Sequence, residues 1–476
     1  MEIRNPSGGA AASAIAVSRS ASYRLYDLPD VPGSVLWSLS GDTTAVTLKR
    51  KRDENEVSLA AAAQPSAQVG ATTLTATFMP ADHGPSTSTS LTITVFAAAI
   101  CNLDPSLAPS QLLGVGNRAR YAAAAVPAVS PVSASWSPGD SGNIALLGVD
   151  AQGTAEILGQ QAGQTPAQLT LTLSCASQDA VAVLPITVLG LRAALYADDE
   201  AAIEAGPLLG VGEVRVARAQ LVPAQAQLGT ATAQWRWSCS SGLQIMGDAN
   251  AAAISFVANA AGPAWVEAQL SIAGSVLKAR QECIAFGVAI VSEQGSAPTA
   301  LAVGASATLQ AQLQPDCEEA QFFWTGSGNV ALRSEGASVI ARAVSPSSSE
   351  GADGLGVVAV IGDAQTQAVI PLTSYAVTIL SGDQQPPPTT IAVGAQQTYS
   401  VTTNPAFGEP QIRWSLQGEA AGIVGSSSAS QVQLYGVRNS ESSGDLSLAV
   451  SVSPAGTPGD SPDAALAITV GTPRYR

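Results

Sequence analysis

A Val-Gly pair followed by a tryptophan 20 to 25 residues later recurs at a near-regular spacing along this chain, at Gly116, Gly212, Gly304 and Gly394, in the stretches LLGVGNRAR, LLGVGEVRV, LAVGASATL and IAVGAQQTY. The steps between copies are 96, 92 and 90 residues. A fifth stretch near the start, AIAVSRSASY, has the same shape with Ser18 in place of the glycine. Each copy is followed by a Trp-Ser or Trp-Thr pair: Trp37, Trp136, Trp237, Trp324 and Trp414 lie 19, 20, 25, 20 and 20 residues downstream. The third copy thus carries a five-residue excess, placed in LVPAQAQLGTAT. Self-similarity at a fixed period marks a repeated structural unit. The 476 residues also exceed one ordinary core, at ~100–200 residues per domain.

The copies close alike, with LTITV at Val95, LPITV at Val188 and LAITV at Val470; the third and fourth end less regularly, in QECIAFGV and VIPLTSYAV. Five modules follow, at 1–97, 98–190, 191–286, 287–376 and 377–476. Within them apolar and polar residues alternate in short runs, as in TLTATF, QLTLTLS, AWVEAQLSI and DLSLAVSVS. A period of two is the pattern of a half-buried strand, and short strands separated by Gly, Pro, Ser and Asn clusters predict β-sandwiches. The expected fold class is all-β, five sandwiches in tandem. In a sandwich of this size one large side chain fills the thin core, which assigns Trp37, Trp136, Trp237, Trp324 and Trp414 to the five cores. Gly116, Gly212, Gly304 and Gly394 are assigned to a turn between the first two strands, where positive φ costs glycine little.

The order of these landmarks resembles a known family. Apolar-Val-Gly, then Trp-Ser, then GTAEILGQQAGQTPAQLTLTLS, then LPITV is similar to a bacterial group-2 immunoglobulin-like domain, with Gly153, Gly163 and the strand from Gln168 matching its middle segment in the second module. VGATTLTATF matches the second half of that segment in the first module, and modules three to five match through the Val-Gly and Trp landmarks. The resemblance implies tandem immunoglobulin-like sandwiches and says little about function, since such sandwiches host many tasks.

Composition narrows the function classes. Charged residues are 12% of the chain, against the usual ~25%, and the net charge is −15. An acidic surface built from uncharged polar residues repels phosphate backbones, so nucleic acid is not an expected partner. The basic run Lys49 to Arg52 is followed at once by Asp53, Glu54 and Glu56 and reads as a solvated hairpin tip. The first twenty residues place Glu2 where an export signal is basic, and their apolar run is short, so no leader is read there. No stretch reads as a membrane span: AVAVLPITVLGLRAALYA carries Pro185 and Arg192 and reads as two adjoining strands. The five cysteines, Cys101, Cys175, Cys239, Cys283 and Cys317, form no disulfide framework; Cys101 with Cys175 is the one pair worth testing.

Catalytic chemistry finds little foothold. The single histidine, His83, lies in a loop beside Asp82 without an evident nucleophile. No zinc-ligand spacing and no phosphate-cradling loop occurs. Glu318–Glu319 lacks the sugar-stacking aromatics of a glycosidase cleft. Acids near the start of modules (Asp104; Asp198, Asp199 and Glu200; Glu293; Asp383) offer a calcium reading at the joints, weaker than the reading as solubilising loops. The expectation is therefore no catalytic residue, no metal and no cofactor. With no flexible spacer at the joints the modules should be stiffly connected; five in line would reach roughly 150–200 Å with strands rising ~3.3 Å per residue, and a folded-back arrangement is the alternative. Two roles compete: a structural or binding component of a bacteriophage virion or phage-tail-like particle assembled in the bacterial cytoplasm, its modules serving as rigid spacers or surface-attachment units, or a bacterial cell-surface adhesin or extracellular filament protein. The partners expected are other protein subunits of a large assembly and a host-surface glycan or protein. MEIRNPSGG and GTPRYR, the latter with Arg474 and Arg476, are candidate docking tails.

Overall fold

The computed structural model describes residues 1–51, 54–62, 69–198, 204–224, 228, 231–293, 295–317, 319–406, 408–440, 446–453 and 463–472. Arg52, Asp53, Asp199, Glu200, Glu318, Arg474 and Arg476 lie outside them.

The first module sets the plan. Its strands are β1 (Glu2–Arg4), β2 (Ala14–Ala16), β3 (Ser20–Tyr26), β4 (Gly33–Gly41), β5 (Val46–Arg50), β6 (Glu56–Ala61), β7 (Gly70–Pro80) and β8 (Thr87–Asn102). One sheet runs β1-β3-β6-β5; the other pairs β4, β7 and β8, with β2 lying parallel on β8. The alternating runs become inward and outward faces. Leu74, Ala76 and Phe78 of β7 are buried, as are Leu169, Leu171 and Leu173 at the same place in the second module. This two-sheet plan recurs in every module, giving five tandem immunoglobulin-like β-sandwiches. The five-residue excess of the third copy falls between Val222 and Gln234, in the equivalent of the β3–β4 connection.

Each module has its own apolar centre. Tyr23, Trp37, Leu59, Leu74 and Ile93 cluster in the first, and Tyr121, Trp136, Ile157, Leu171 and Ile186 in the second. Trp237 and Phe256 centre the third, Leu309, Val339 and Val357 the fourth, and Tyr399, Trp414 and Leu434 the fifth. Burying each such aliphatic side chain contributes roughly 1.5–3 kcal/mol, so every module has a core capable of supporting its own sandwich.

The modules are not strung on linkers. β8 pairs with β7 through Thr87–Val95 and then, without a break, with the strand Arg118–Val126 of the second module through residues 97–102. Gln178–Tyr196, Ser275–Ser292 and Ala364–Ser381 do the same at the next three joints. The expected boundaries at 97/98, 190/191, 286/287 and 376/377 all fall inside these long strands. One sheet therefore spans each joint, from the strand Ile144–Val149 of the second module through β8 to β4 of the first. Among the described residues the substantial strand packing between modules joins consecutive modules.

The shared strands are written in a change of parity. A strand's side chains alternate between its two faces. In β8, Ile93 and Val95 face the first core, whereas Phe96, Ala98 and Ile100 face the joint and the second core. Two consecutive buried residues, Val95 and Phe96, switch the buried face. Val188–Leu189, Ala285–Phe286 and Ser374–Tyr375 repeat the switch at the other joints. The reason is geometric: successive cores lie on opposite sides of the strand they share.

Candidate functional site

The five tryptophans sit on β4 and its equivalents. Trp37, Trp136, Trp237 and Trp414 are 5%, 7%, 4% and 3% exposed. Each indole N–H donates to a backbone carbonyl in the connection between β5 and β6 or its equivalent: Trp37 to Glu54, Trp136 to Gly153, Trp237 to Ala251 and Trp414 to Ala429, at 2.8–3.0 Å. That connection has five or six residues in these modules, and in the second, third and fifth it folds over the ring. In the fourth module it has two, between Glu335 and Ser338. Trp324 is therefore only half-buried, and its bond to Gly336 is the longest of the set at 3.3 Å. Gly116, Gly212, Gly304 and Gly394 have φ of +76°, +86°, +95° and +82°, in the turn between the equivalents of β2 and β3. Ser18 occupies the same left-handed turn at +64°.

A second recurring aromatic escaped the sequence reading. Tyr23, Tyr121 and Tyr399 lie five residues after that turn, are fully buried, and donate their hydroxyls to the carbonyls of Ala12, Ser110 and Pro388. Burial pushes the Tyr121 and Tyr399 hydroxyls up to about 12. Aligning the copies on the Val-Gly pair would have revealed it.

Among the described residues, those considered for catalysis and metal binding stay apart. His83 is exposed at the tip of the β7–β8 hairpin, where Asp82 Oδ1 accepts the Gly84 N–H. Asp104 caps a local turn through Ser106, whose hydroxyl and N–H hold its carboxyl below the usual range. Asp383 accepts from Ser381 Oγ, which likewise lowers it. Among the described residues no three His, Cys, Asp or Glu side chains form a metal-sized group. All five cysteines are free thiols, with Cys175 and Cys283 buried.

What the fold does build, four times, is a joint. At the first three the β7–β8 hairpin of the later module presses on the segment of β2 and the following turn in the earlier module; at the fourth the strand Leu446–Ser453 packs on Ala300–Ala302. The first joint is apolar: Ala14 and Ala16 meet Phe96, Cys175 and Ala180. At the second, Asn117 exchanges two bonds with the backbone of Val276, at 2.9 and 3.1 Å, and Ser275 Oγ accepts the Gly114 N–H at 3.0 Å. The fourth carries the Tyr375 hydroxyl donating to the Val452 carbonyl at 2.5 Å, with Ala300 and Ala302 drawn into the fifth core.

The third joint is ionic. Arg215 is 1% exposed, and its Nη1 and Nη2 donate across the joint to Asp363 Oδ2 at 2.8 Å and the Asp363 carbonyl at 2.9 Å. Its Nε lies 2.8 Å from Glu213 Oε1 but is out of line for a hydrogen bond. Glu213 Oε2 accepts the N–H of Gly210 at 2.7 Å and of Gln365 at 3.2 Å, and Thr366 Oγ1 donates to the Val211 carbonyl at 3.1 Å. Burial alone pushes the Asp363 carboxyl up; the bond to Arg215 and its charge more than reverse this, leaving it below the usual range. A cavity of about 220 Å³ opens beside this contact, between Val211, Glu213, Val358 and Gln367.

Two sequence positions distinguish the joints. The residue two before the turn glycine is the seat: Gly114 and Gly210 at the second and third joints, Ala16 and Ala302 at the first and fourth. A Cβ on Gly210 would lie 1.7 Å from the Gln365 carbonyl oxygen, and one on Gly114 2.6 Å from Leu277 Cδ2. The residue after the glycine is the key, Asn117 at the second joint and Glu213 at the third.

No family model matches the chain, and no curated protein matches it. Several solved structures of tandem domains are similar in part. The I-band fragment I67–I69 from titin is 12% identical with a TM-score of 0.22, covering 58% of this chain and 94% of that one. Three N-terminal domains of the bacteriophage RB49 Highly Immunogenic Outer Capsid protein are 10% identical with a TM-score of 0.27, covering 59% and 98%. Immunoglobulin domains 1–5 of Sidekick-1 are 13% identical with a TM-score of 0.17, covering 99% and 98%.

Proposed function

We propose that this chain is a non-enzymatic spacer that holds whatever binds along it at fixed separations, as a structural component of a bacteriophage virion or phage-tail-like particle. The observation that carries the spacer reading is the set of four strands shared between modules. A hydrogen-bonded strand cannot swivel as a Gly-Ser linker does, because bending it breaks ladder bonds on both sides of the joint. Support for the particle setting comes from the resemblance to bacterial group-2 immunoglobulin-like domains and from the free thiols, which suit assembly in a reducing cytoplasm. On this reading the partners are other protein subunits of the particle and a host-surface glycan or protein, engaged without nucleic acid or membrane insertion.

Fractionation of the native source tests the setting. Co-sedimentation with a large particle, and labelling on that particle by antibody in electron micrographs, is the expected result. Recovery on cell envelopes alone would replace the particle by a bacterial surface adhesin, and recovery solely as free monomer would remove both. The spacer reading is tested separately by the length distribution of single molecules in negative stain, which should be narrow.

A further inference from the structure

We infer that the third joint is a buried ionic latch, built from Arg215, Glu213 and Asp363, that sets the angle between the third and fourth modules. The inference concerns the joint itself and holds whether the chain works in a particle or on a cell.

The residues are placed for this and for little else. Arg215 follows Val214 at the start of the equivalent of β3, pairs in register with Phe256, and faces the interior on the same side as Ala217. The corresponding positions in the other modules hold Ala21, Ala119, Ala307 and Gln397, none of them charged. The third module also carries Ala217 where three others carry the buried tyrosine. A guanidinium taken out of water needs anionic partners on more than one side. Glu213 supplies one from the same module. Asp363 supplies the other from the later module, 148 residues away, through both its carboxylate and its carbonyl.

The fork geometry matters. Two donors on one rigid plane meet two acceptors on one hairpin tip, so the pair fixes direction as well as distance. Glu213 ties the same hairpin a second time through the Gln365 N–H. Gly210 lets the two backbones close to this separation. Opening the joint would take both Asp363 acceptors from the guanidinium and leave it with Glu213 and water. The closed joint is thereby held by a charged, directional contact that the apolar first joint and the amide-keyed second joint do not have. Asp363 is 49% exposed on its hairpin tip, whereas the guanidinium it meets is 1% exposed. Because the guanidinium end is out of water, salt should screen the pair less than it would two exposed charges.

The test is a distance distribution in the full-length chain. Spin labels are introduced by encoded non-natural residues at Met246 in the third module and Ser334 in the fourth, both exposed, so that native thiols stay untouched. The wild-type distribution should be narrow and the same at low and high salt. Asp363→Asn should broaden it and add a longer-distance population. Arg215→Met should do likewise, and the double variant should be no broader than either single one. Asn117→Ala, which loosens the second joint, should leave this distance alone. Asp363→Asn alters a half-exposed hairpin tip, so it keeps the test decisive even if Arg215→Met fails to fold. An unchanged distribution in folded Asp363→Asn, or a wild-type distribution that broadens with salt, would overturn the latch while leaving the spacer role standing.

Discussion

Replacing Gly210 by alanine should open the third joint without unfolding either module that forms it. A Cβ at this position would stand 1.7 Å from the Gln365 oxygen and 2.3 Å from its carbonyl carbon, where ordinary contact begins at 3.4 Å. The later hairpin must then withdraw by about 1.7 Å along that line. Such a shift stretches Glu213–Gln365 from 3.2 Å and Thr366–Val211 from 3.1 Å well past hydrogen-bonding reach. Two lost bonds at roughly 0.5–1.5 kcal/mol each give about 1–3 kcal/mol against the closed joint. That is roughly a 5- to 150-fold rise in the open population. Native-state hydrogen exchange of the whole chain reads this directly, as lost protection in the hairpin 362–367. Gly212→Ala is the matched control: its φ is +86° and no atom lies within 4 Å of the added carbon, so it strains the turn without pushing on the hairpin. If Gly212→Ala lowers protection at 362–367 as much as Gly210→Ala does, or neither changes it, the close-approach argument is wrong.

Three further outcomes follow from the same structure. Trp136→Ala should cost about 3–5 kcal/mol, and Trp324→Ala clearly less because its ring is half-exposed; calorimetry of the two full-length variants would show equal losses if the ring-covering connection were irrelevant. Burial pushes the Asp353 carboxyl up, but the Ser347 hydroxyl and Asn329 amide that donate to it, with the less well aligned hydroxyls of Ser327 and Ser374, bring it below its usual range. Because the folded value is depressed, the stability it contributes is present above the unfolded value of ~3.9 and lost as pH falls through the folded one; acid unfolding of the fourth module should show that loss, and Asp353→Asn should flatten it. Of the five thiols, Cys175 and Cys283 should resist a thiol reagent until denaturant is added, since burial raises both and, with a smaller contribution from Glu282, lifts Cys283 to about 11; rapid native labelling of either would contradict their placement.

Much of the fold was legible because its signals are local. The Val-Gly turn needs a left-handed residue, the tryptophan needs a strand that faces inward, and alternation shows which side that is. These are properties of ten or twenty consecutive residues, and repetition amplified them. Even the shared strands leave a trace, the paired buried residues Val95–Phe96 and Val188–Leu189, although TITVFAAAIC read by itself signals only a short joint. Trp324 shows the limit. Its segment matches the other four, and only the length of the connection that folds over the ring leaves it half-open.

The amino-acid order alone established that there are five sandwiches, where their landmark residues lie, and that zinc-ligand and phosphate-cradle patterns are missing from it. Tertiary structure decided what happens between the sandwiches. Arg215 meets Asp363 across 148 residues, and Asn117 meets Val276 across 159. In the sequence Arg215 is one more charged residue in an alternating strand, and Gly210 one more glycine beside a turn. Their meaning depends on a hairpin that arrives from the next module, and a contact between distant segments leaves no period in either of them to be read.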